Sequence, residues 1–419
     1  MTSERACFVY IMLPGQTEFV TAGRFTLIPT ADGQAVGHFV YGRKYLARPD
    51  RVEIDPIELK LSDRPFETAI QGGFFGAIRD AMPDSWGRRV IEKRTGYPQL
   101  DEFGYLMESA EDRAGALGFG LDVEPPAPRR SFNQTPQLEQ LQTAADAIIN
   151  DDAEPGDDVA RQAEELLFLG SSMGGARPKT VIEDAGALWI AKFSHPDDRW
   201  NQPKVEHGIL QLAATCGLNV ADSRIVEIAG RDILLVRRFD RDHAEEGFRR
   251  HRMVSALTLL RADDSVANRA NWSYLLLADE VRRVSENPKA DLNELFRRIC
   301  FNAAVSNLDD HPRNHAMIAI EKSWRLSPAY DLTPSPVFAK DRRNLAMECG
   351  ELGRFANRAN ILSNHGRFYF ELNEAEQIFD DMIELIRAEW HEHMRRIGVI
   401  NADVMRISKA FLYDGLFYD

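Results

Sequence analysis

Val305-Ser306-Asn307-Leu308-Asp309-Asp310-His311-Pro312-Arg313-Asn314-His315 decides how this 419-residue chain is read. It follows an apolar stretch of helical periodicity, about Leu292–Val305, and places an Asn five residues after an Asp. At that spacing an aspartate accepts the proton of an attacking hydroxyl while the asparagine holds a magnesium ion, as in a kinase catalytic loop. Alone, Asp-x4-Asn after a helix is more often a solvated turn. Its companions give it weight. Upstream come a glycine-rich loop, a strand lysine and a helix glutamate; downstream, after an apolar strand, comes a second aspartate. The parts of a kinase ATP site follow one another along a chain in that order.

The upstream loop is Gly170-Ser171-Ser172-Met173-Gly174-Gly175-Ala176-Arg177-Pro178-Lys179. Gly174 and Gly175, without Cβ atoms, let backbone N–H groups approach phosphate oxygens. Taken by itself the segment reads more simply as a flexible turn, and no Gly-Lys-Ser/Thr opens a helix after it. Lys192 ends the apolar run Ala187-Leu188-Trp189-Ile190-Ala191. It either snorkels from a sheet edge or aims its ammonium at phosphates. Pro203 starts a helix that Gly217 ends, with Ile209, Leu212, Ala213 and Cys216 on its buried face. Glu206 on its first turn complements the helix dipole or forms an ion pair that aims Lys192. Arg224–Ile228 and Ile233–Val236 form a hairpin that runs into Arg238-Phe239-Asp240-Arg241. In the kinase reading this is the hinge, where the backbone of Leu234, Val236 and Arg238 meets the adenine edge.

Downstream, Ala316–Ile320 and Trp324–Leu326 make a second hairpin that delivers Asp331, where a magnesium-binding carboxylate is needed beside Asn314. Thr333–Val337 is proline-rich, and the mobile-looking Lys340–Arg354 takes the place of an activation segment. The stretches Met253–Leu260 and Asn271–Arg283 are expected to be helices. His391-Glu392-His393 lies in the expected helix Glu374–Met394, and histidines at i and i+2 point to different sides of a helix, so no zinc site is expected there.

Residues 1–65 read as short strands, Cys7–Leu13, Gly23–Ile28 and Gly37–Tyr41, followed by a helical stretch at Trp86–Arg94. Phe74-Phe75 is expected in a core, and nothing in this block has catalytic spacing. Glu124-Pro125-Pro126-Ala127-Pro128 marks a linker. Helices are expected at Pro136–Ile149 and Asp157–Phe168. The hydrophobic and charged fractions, 44% and 28%, are those of a globular protein. A formal net charge of −14 argues against binding DNA, RNA or anionic lipid directly. Four scattered cysteines suit reduced core thiols, no run approaches the roughly 18 apolar residues of a membrane span, and no leader pattern opens the chain. A cytoplasmic protein with no membrane partner is expected.

Together, Ser172-Met173-Gly174-Gly175-Ala176-Arg177-Pro178-Lys179, Ile190-Ala191-Lys192-Phe193, Arg238-Phe239-Asp240-Arg241, Asn307–Asn314 and Tyr330-Asp331 resemble the HipA family, bacterial serine/threonine kinase toxins of toxin–antitoxin modules. The resemblance implies an α+β, protein-kinase-like bilobal fold. Its parts would be an N-terminal subdomain at 1–125, the rest of a β-rich N-lobe at 130–238 and an all-helical C-lobe at 239–419. ATP and magnesium are the implied cofactors. Carried over, Lys192 contacts the ATP phosphates, Asp309 is the general base, His311 orients the loop, and Asn314 and Asp331 bind magnesium. Ser172, with Ser171 beside it as the alternative, matches the family's autophosphorylated serine. A phosphate there would disorder the loop that cradles ATP and switch the enzyme off. The implied partners are a small helix-turn-helix (HipB-like) antitoxin, operator DNA reached mainly through it, and a protein substrate, with an aminoacyl-tRNA synthetase as candidate. A small-molecule kinase on the same fold and a silent scaffold in an antitoxin–DNA complex are the alternatives. The intact Lys192, Asp309, Asn314 and Asp331 argue against the scaffold.

Overall fold

The computed structural model describes residues 5–31, 33–150, 167–168, 175–337 and 339–418. Ser171, Ser172 and Gly174, and all but the end of the helix expected at Asp157–Phe168, lie outside the described residues. By its internal contacts the chain forms two compact units. The first holds Met1–His195, Val226–Val254 and Ile318–Lys322; the second holds Pro196–Ile225, Ser255–Met317 and Ser323–Asp419. The sequence divides at 125–130 and 238–239, whereas the contacts give the second unit the Glu206 helix and the first unit strand Arg231–Arg237.

In the first unit, strands Phe66–Thr68, Ala35–Tyr41, Phe19–Pro29, Arg5–Met12 and Leu117–Gly120 lie in that order in one sheet. Alternation places Val9 and Ile11 of strand Arg5–Met12, Phe25 of the central strand and Phe39 of the strand beyond it in the core. Phe74 and Phe75 cover them; the Phe25 and Phe74 rings are 5.4 Å apart. This aromatic pair is core, as its sequence suggests. In a second sheet, strands Asn133–Gln134, Lys179–Asp184, Ala187–Lys192 and Arg231–Arg237 are consecutive neighbours. One face packs Ile182, Ala191, Ile233 and Leu235 on the apolar side of helix Leu138–Asn150. The opposite face packs Val181 and Leu188 against Phe132 and Phe248.

The Arg-Phe-Asp-Arg motif follows directly on strand Arg231–Arg237 and is buried. Arg238 forms ion pairs with Asp112 and Asp240, and Arg241 binds the same two carboxylates. The Gly115 N–H also donates to Asp240, at 2.9 Å. Burial alone would raise both carboxyls, but the two guanidiniums hold them below the ordinary carboxylate value, Asp240 well below it.

In the second unit, helices Tyr274–Val284, Pro288–Ala304 and Leu372–Arg396 carry the core. Pro288 sits in the first turn of its helix, where no N–H is missed, and the Asn287 side chain caps it by accepting from the Ala290 N–H. The helix expected at Met253–Leu260 is shorter. Arg252–Ser255 is a strand, and only Ala256–Leu259 is helical, because Ser255 is an extended N-cap that accepts from the Thr258 N–H. A stretch this short and apolar has no periodicity to separate the two states. The His393 ring bonds the Gly208 carbonyl at 3.2 Å. Among the described residues, no helix is long and apolar enough to cross a membrane.

Candidate active site

Helix Pro288–Ala304 ends in a reversal built on Ser306, a residue with a side chain held at φ 49°. The Asn307 N–H returns to the Asn302 carbonyl at 2.8 Å, and Asp309 follows in an exposed position. Two groups hold the Asp309 carbonyl: the His311 N–H at 2.8 Å and the Asn314 amide nitrogen at 3.3 Å. A single turn of 3₁₀ helix, Pro312–Asn314, sets that reach. With its nitrogen committed to Asp309, Asn314 offers Oδ1 to a ligand. His311 fixes the loop through its backbone, while its ring lies 6.3 Å from that of Trp272.

Asp331 enters from the hairpin after the loop, in the left-handed region at φ 58°. For a residue with a Cβ this costs on the order of 1–3 kcal/mol and persists where surrounding structure imposes it, often at a functional site. One such constraint is adjacent: the Tyr330 hydroxyl donates to the Arg313 carbonyl at 2.7 Å, pinning the hairpin exit to the loop. The Asp331 charge reaches Asp309. Burial raises the Asp309 carboxyl, His311 opposes, and Asp331 and then Asp310 add to the rise.

Beneath the loop, Asp310 is buried and serves as its anchor. It accepts from the Tyr274 hydroxyl, from the Asn302 amide nitrogen at 2.8 Å and shares a contact with His315 Nε2 at 2.6 Å. Burial would raise this carboxyl, but His315 first and then Tyr274 hold it below its ordinary value. Asp309 and Asp310 thus diverge: one is raised and faces the site, the other is lowered and ties the loop to helices Pro288–Ala304 and Tyr274–Val284. Nothing in the sequence assigns Asp310 this part, although the Asp310 to His315 spacing is visible there.

A divalent cation fits this corner. Two carboxylates, Asp309 and Asp331, raise each other's cost of ionisation, and Asn314 adds a neutral oxygen beside them. Hard oxygen donors suit magnesium, which takes one or two carboxylates and fills its shell with phosphate and water. Among the described residues no group of three or more His, Cys, Asp and Glu side chains gathers to hold a metal. Asn314 and Asp331 are the residues that could hold a divalent cation here.

In the first unit, Lys192 lies opposite Leu234 on one neighbouring strand and Lys179 on the other. Residues in register share a face, so the two lysines and Leu234 stand in one row. Val181, Ile190 and Val236 form the next row on the same face. Like charges directly opposite are costly, so this lysine row calls for compensation by negative groups. The described end of the glycine-rich loop meets it: a Cβ built on Gly175, at φ 107°, falls 2.2 Å from the Lys179 Nζ. The lysine end could shift, but a side chain at that φ would strain the backbone. The Arg238 guanidinium is spent on the buried ion pairs, and the Arg238 backbone N–H donates to the Leu188 carbonyl at 2.9 Å. Glu206 is buried in the second unit on helix Gln202–Thr215, which the Asn201 side chain caps.

The chain matches the family model of the HipA-like C-terminal domain over residues 171–390 and that of the HipA N-terminal domain over 21–120. Among curated relatives, the putative kinase Y4mE of Sinorhizobium fredii is 25% identical over 76% of this chain and 80% of its own. The putative kinase Y4dM of the same organism is 22% identical over 89% and 90%. Among solved structures, a chain from the Shewanella oneidensis MR-1 complex of the HipA and HipB toxin–antitoxin system with operator DNA superposes with a TM-score of 0.67. That match is 16% identical and covers 96% of this chain and 94% of the other, so it speaks for the fold. The fold is the kinase-like α+β fold, and the matches to both domains place this chain in the HipA family.

Proposed function

We propose that this protein is an ATP- and magnesium-dependent serine/threonine protein kinase and the toxin of a toxin–antitoxin module. What supports the reading most is the meeting of Asp309, Asn314 and Asp331 at one corner, with Asp309 raised by burial and held through its own carbonyl. In the proposed reaction the Asp309 carboxylate accepts the proton of a substrate hydroxyl as that oxygen bonds the γ-phosphorus of ATP. The bond from that phosphorus to the bridging oxygen breaks, and ADP leaves. Magnesium, when bound, neutralises charge on the phosphates. Lys192, from its row of cations, would hold the phosphates, and Asn314 and Asp331 would fix their geometry.

A helix-turn-helix partner of the HipB kind is the proposed antitoxin. It would carry this chain, with its net charge of −14, to operator DNA. An aminoacyl-tRNA synthetase is the first protein substrate to test. Purified protein incubated with magnesium and ATP is expected to gain one phosphate, mapped by peptide mass spectrometry to Ser172 or Ser171, with none on Asp309→Asn protein. No phosphate on wild type, together with no phosphate on any synthetase added, would count against a protein kinase.

A further inference from the structure

The segment Lys340–Arg354, mobile-looking in sequence, is tied down by one buried side chain. Arg343 is 5% exposed, and its guanidinium lies 4.4 Å from the Tyr413 ring centroid. Nε donates to the Ala339 carbonyl at 2.9 Å and Nη2 to the Val337 carbonyl at 3.0 Å, which curls the segment around its own arginine. Nη1 reaches further, donating to Ser306 Oγ at 2.6 Å and to the Ala410 carbonyl at 3.4 Å. Ser306 Oγ in turn donates to Ala410 at 2.6 Å, and the Ser306 carbonyl accepts from the Ser335 N–H at 2.9 Å. The Gly415 N–H to Lys340 carbonyl and Leu412 N–H to Ala304 carbonyl bonds, both 2.8 Å, close the same knot. One guanidinium therefore joins the root of the Asp309 loop, the segment after Asp331 and the C-terminal residues.

Ser306 makes this more than tail packing. Its φ of 49° is a conformation that a residue with a Cβ adopts only when held there. That conformation sets the direction in which the chain leaves helix Pro288–Ala304 toward Asp309. Its hydroxyl is held by two partners, Arg343 and Ala410, neither of which belongs to the loop. We infer that Arg343, acting through Ser306, is a positioning residue for Asp309, so that the C-terminal residues around Ala410 and Tyr413 support the catalytic loop. The inference rests on Asp309 being the base.

Full-length Arg343→Met, Arg343→Lys, Ser306→Ala and the Ser306→Ala/Arg343→Met double variant test it. The readouts are ADP formation from magnesium–ATP, thermal midpoint, and amide hydrogen exchange across residues 305–314. Arg343→Met is expected to lower kcat by about 10- to 100-fold, the scale of a displaced catalytic group, with KM for ATP within about twofold. Exchange at Asn307–His311 should quicken. Ser306→Ala should give the same pattern more weakly, Arg343→Lys should recover part of the loss, and the double variant should be no worse than Arg343→Met. A kcat unchanged while the thermal midpoint falls would reduce Arg343 to tail packing and overturn the inference, as would additive losses or unchanged exchange. Should Arg343→Met not fold, Ser306→Ala decides by the same readouts. Asp309→Asn runs beside them: wild-type turnover there sinks the base assignment itself, while the exchange data still report whether Arg343 holds the loop.

Discussion

Asp309→Asn is expected to lower phosphoryl transfer by about 10²–10⁴-fold, the range a positioned general base contributes, while ATP affinity stays within about threefold, because the change removes a step of the reaction and not a phosphate contact. The substitution keeps the shape of the side chain and removes its capacity to take a proton. It also leaves the scaffold alone, since His311 and Asn314 grip the backbone carbonyl of residue 309 and not its carboxylate. The loop is further anchored by Asp310 through Tyr274, Asn302 and His315, which the change does not touch. A fall in turnover with unchanged ATP binding would thus report chemistry and not folding. Turnover equal to wild type would remove Asp309 from the role of base.

The elements that carry the site were legible because their signals are local. Strand Ala187–Lys192, strand Arg231–Arg237 and helix Gln202–Thr215 fall within a residue or two of where apolar runs, Pro203 and Gly217 put them. The loop around Asp309 is contiguous, so one window of sequence contains Asp309, Asn314 and the anchoring Asp310. What was not legible depends on partners far along the chain. That the Arg238 side chain is buried against Asp112, 126 positions away, cannot be read from its neighbours in sequence. Lys340–Arg354 reads as mobile because it is charged and aperiodic. The residue that fixes it, Arg343, finds its acceptor at Ala410, 67 positions on. A buried arginine and an exposed one have the same local sequence signature, and only tertiary contact separates them.

Asp112→Asn carries the largest expected loss of stability, and the reason is charge count. Asp112 and Asp240 balance Arg238 and Arg241 in a site where the side chains of Arg238, Arg241 and Asp112 are at most 1% exposed. Taking one carboxylate away leaves a buried positive charge uncompensated, which costs about 3–5 kcal/mol when one partner of a buried pair is removed. For a unit of this size that lowers its unfolding midpoint by roughly 6–20 °C. Replacing all four residues with apolar ones of similar volume should cost far less, since no charge is then stranded. The acid limb provides a second, independent reading. Both carboxyls are depressed in the folded protein, so the unfolded chain binds their protons first as pH falls. Their stabilisation is complete well above the ordinary aspartate value near 4 and drains away progressively as pH falls below about 5. Asp112→Asn, having one such group fewer, should lose stability less steeply between about pH 5 and 2 than wild type, although it starts lower. Denaturant midpoints measured across that range would show converging curves. Parallel curves, or a loss at neutral pH under about 1 kcal/mol, would mean that Arg238 and Arg241 are satisfied without Asp112. Because Arg238 directly follows the strand that bears Leu234 and Val236, a contribution of the network to activity would come through holding that strand end.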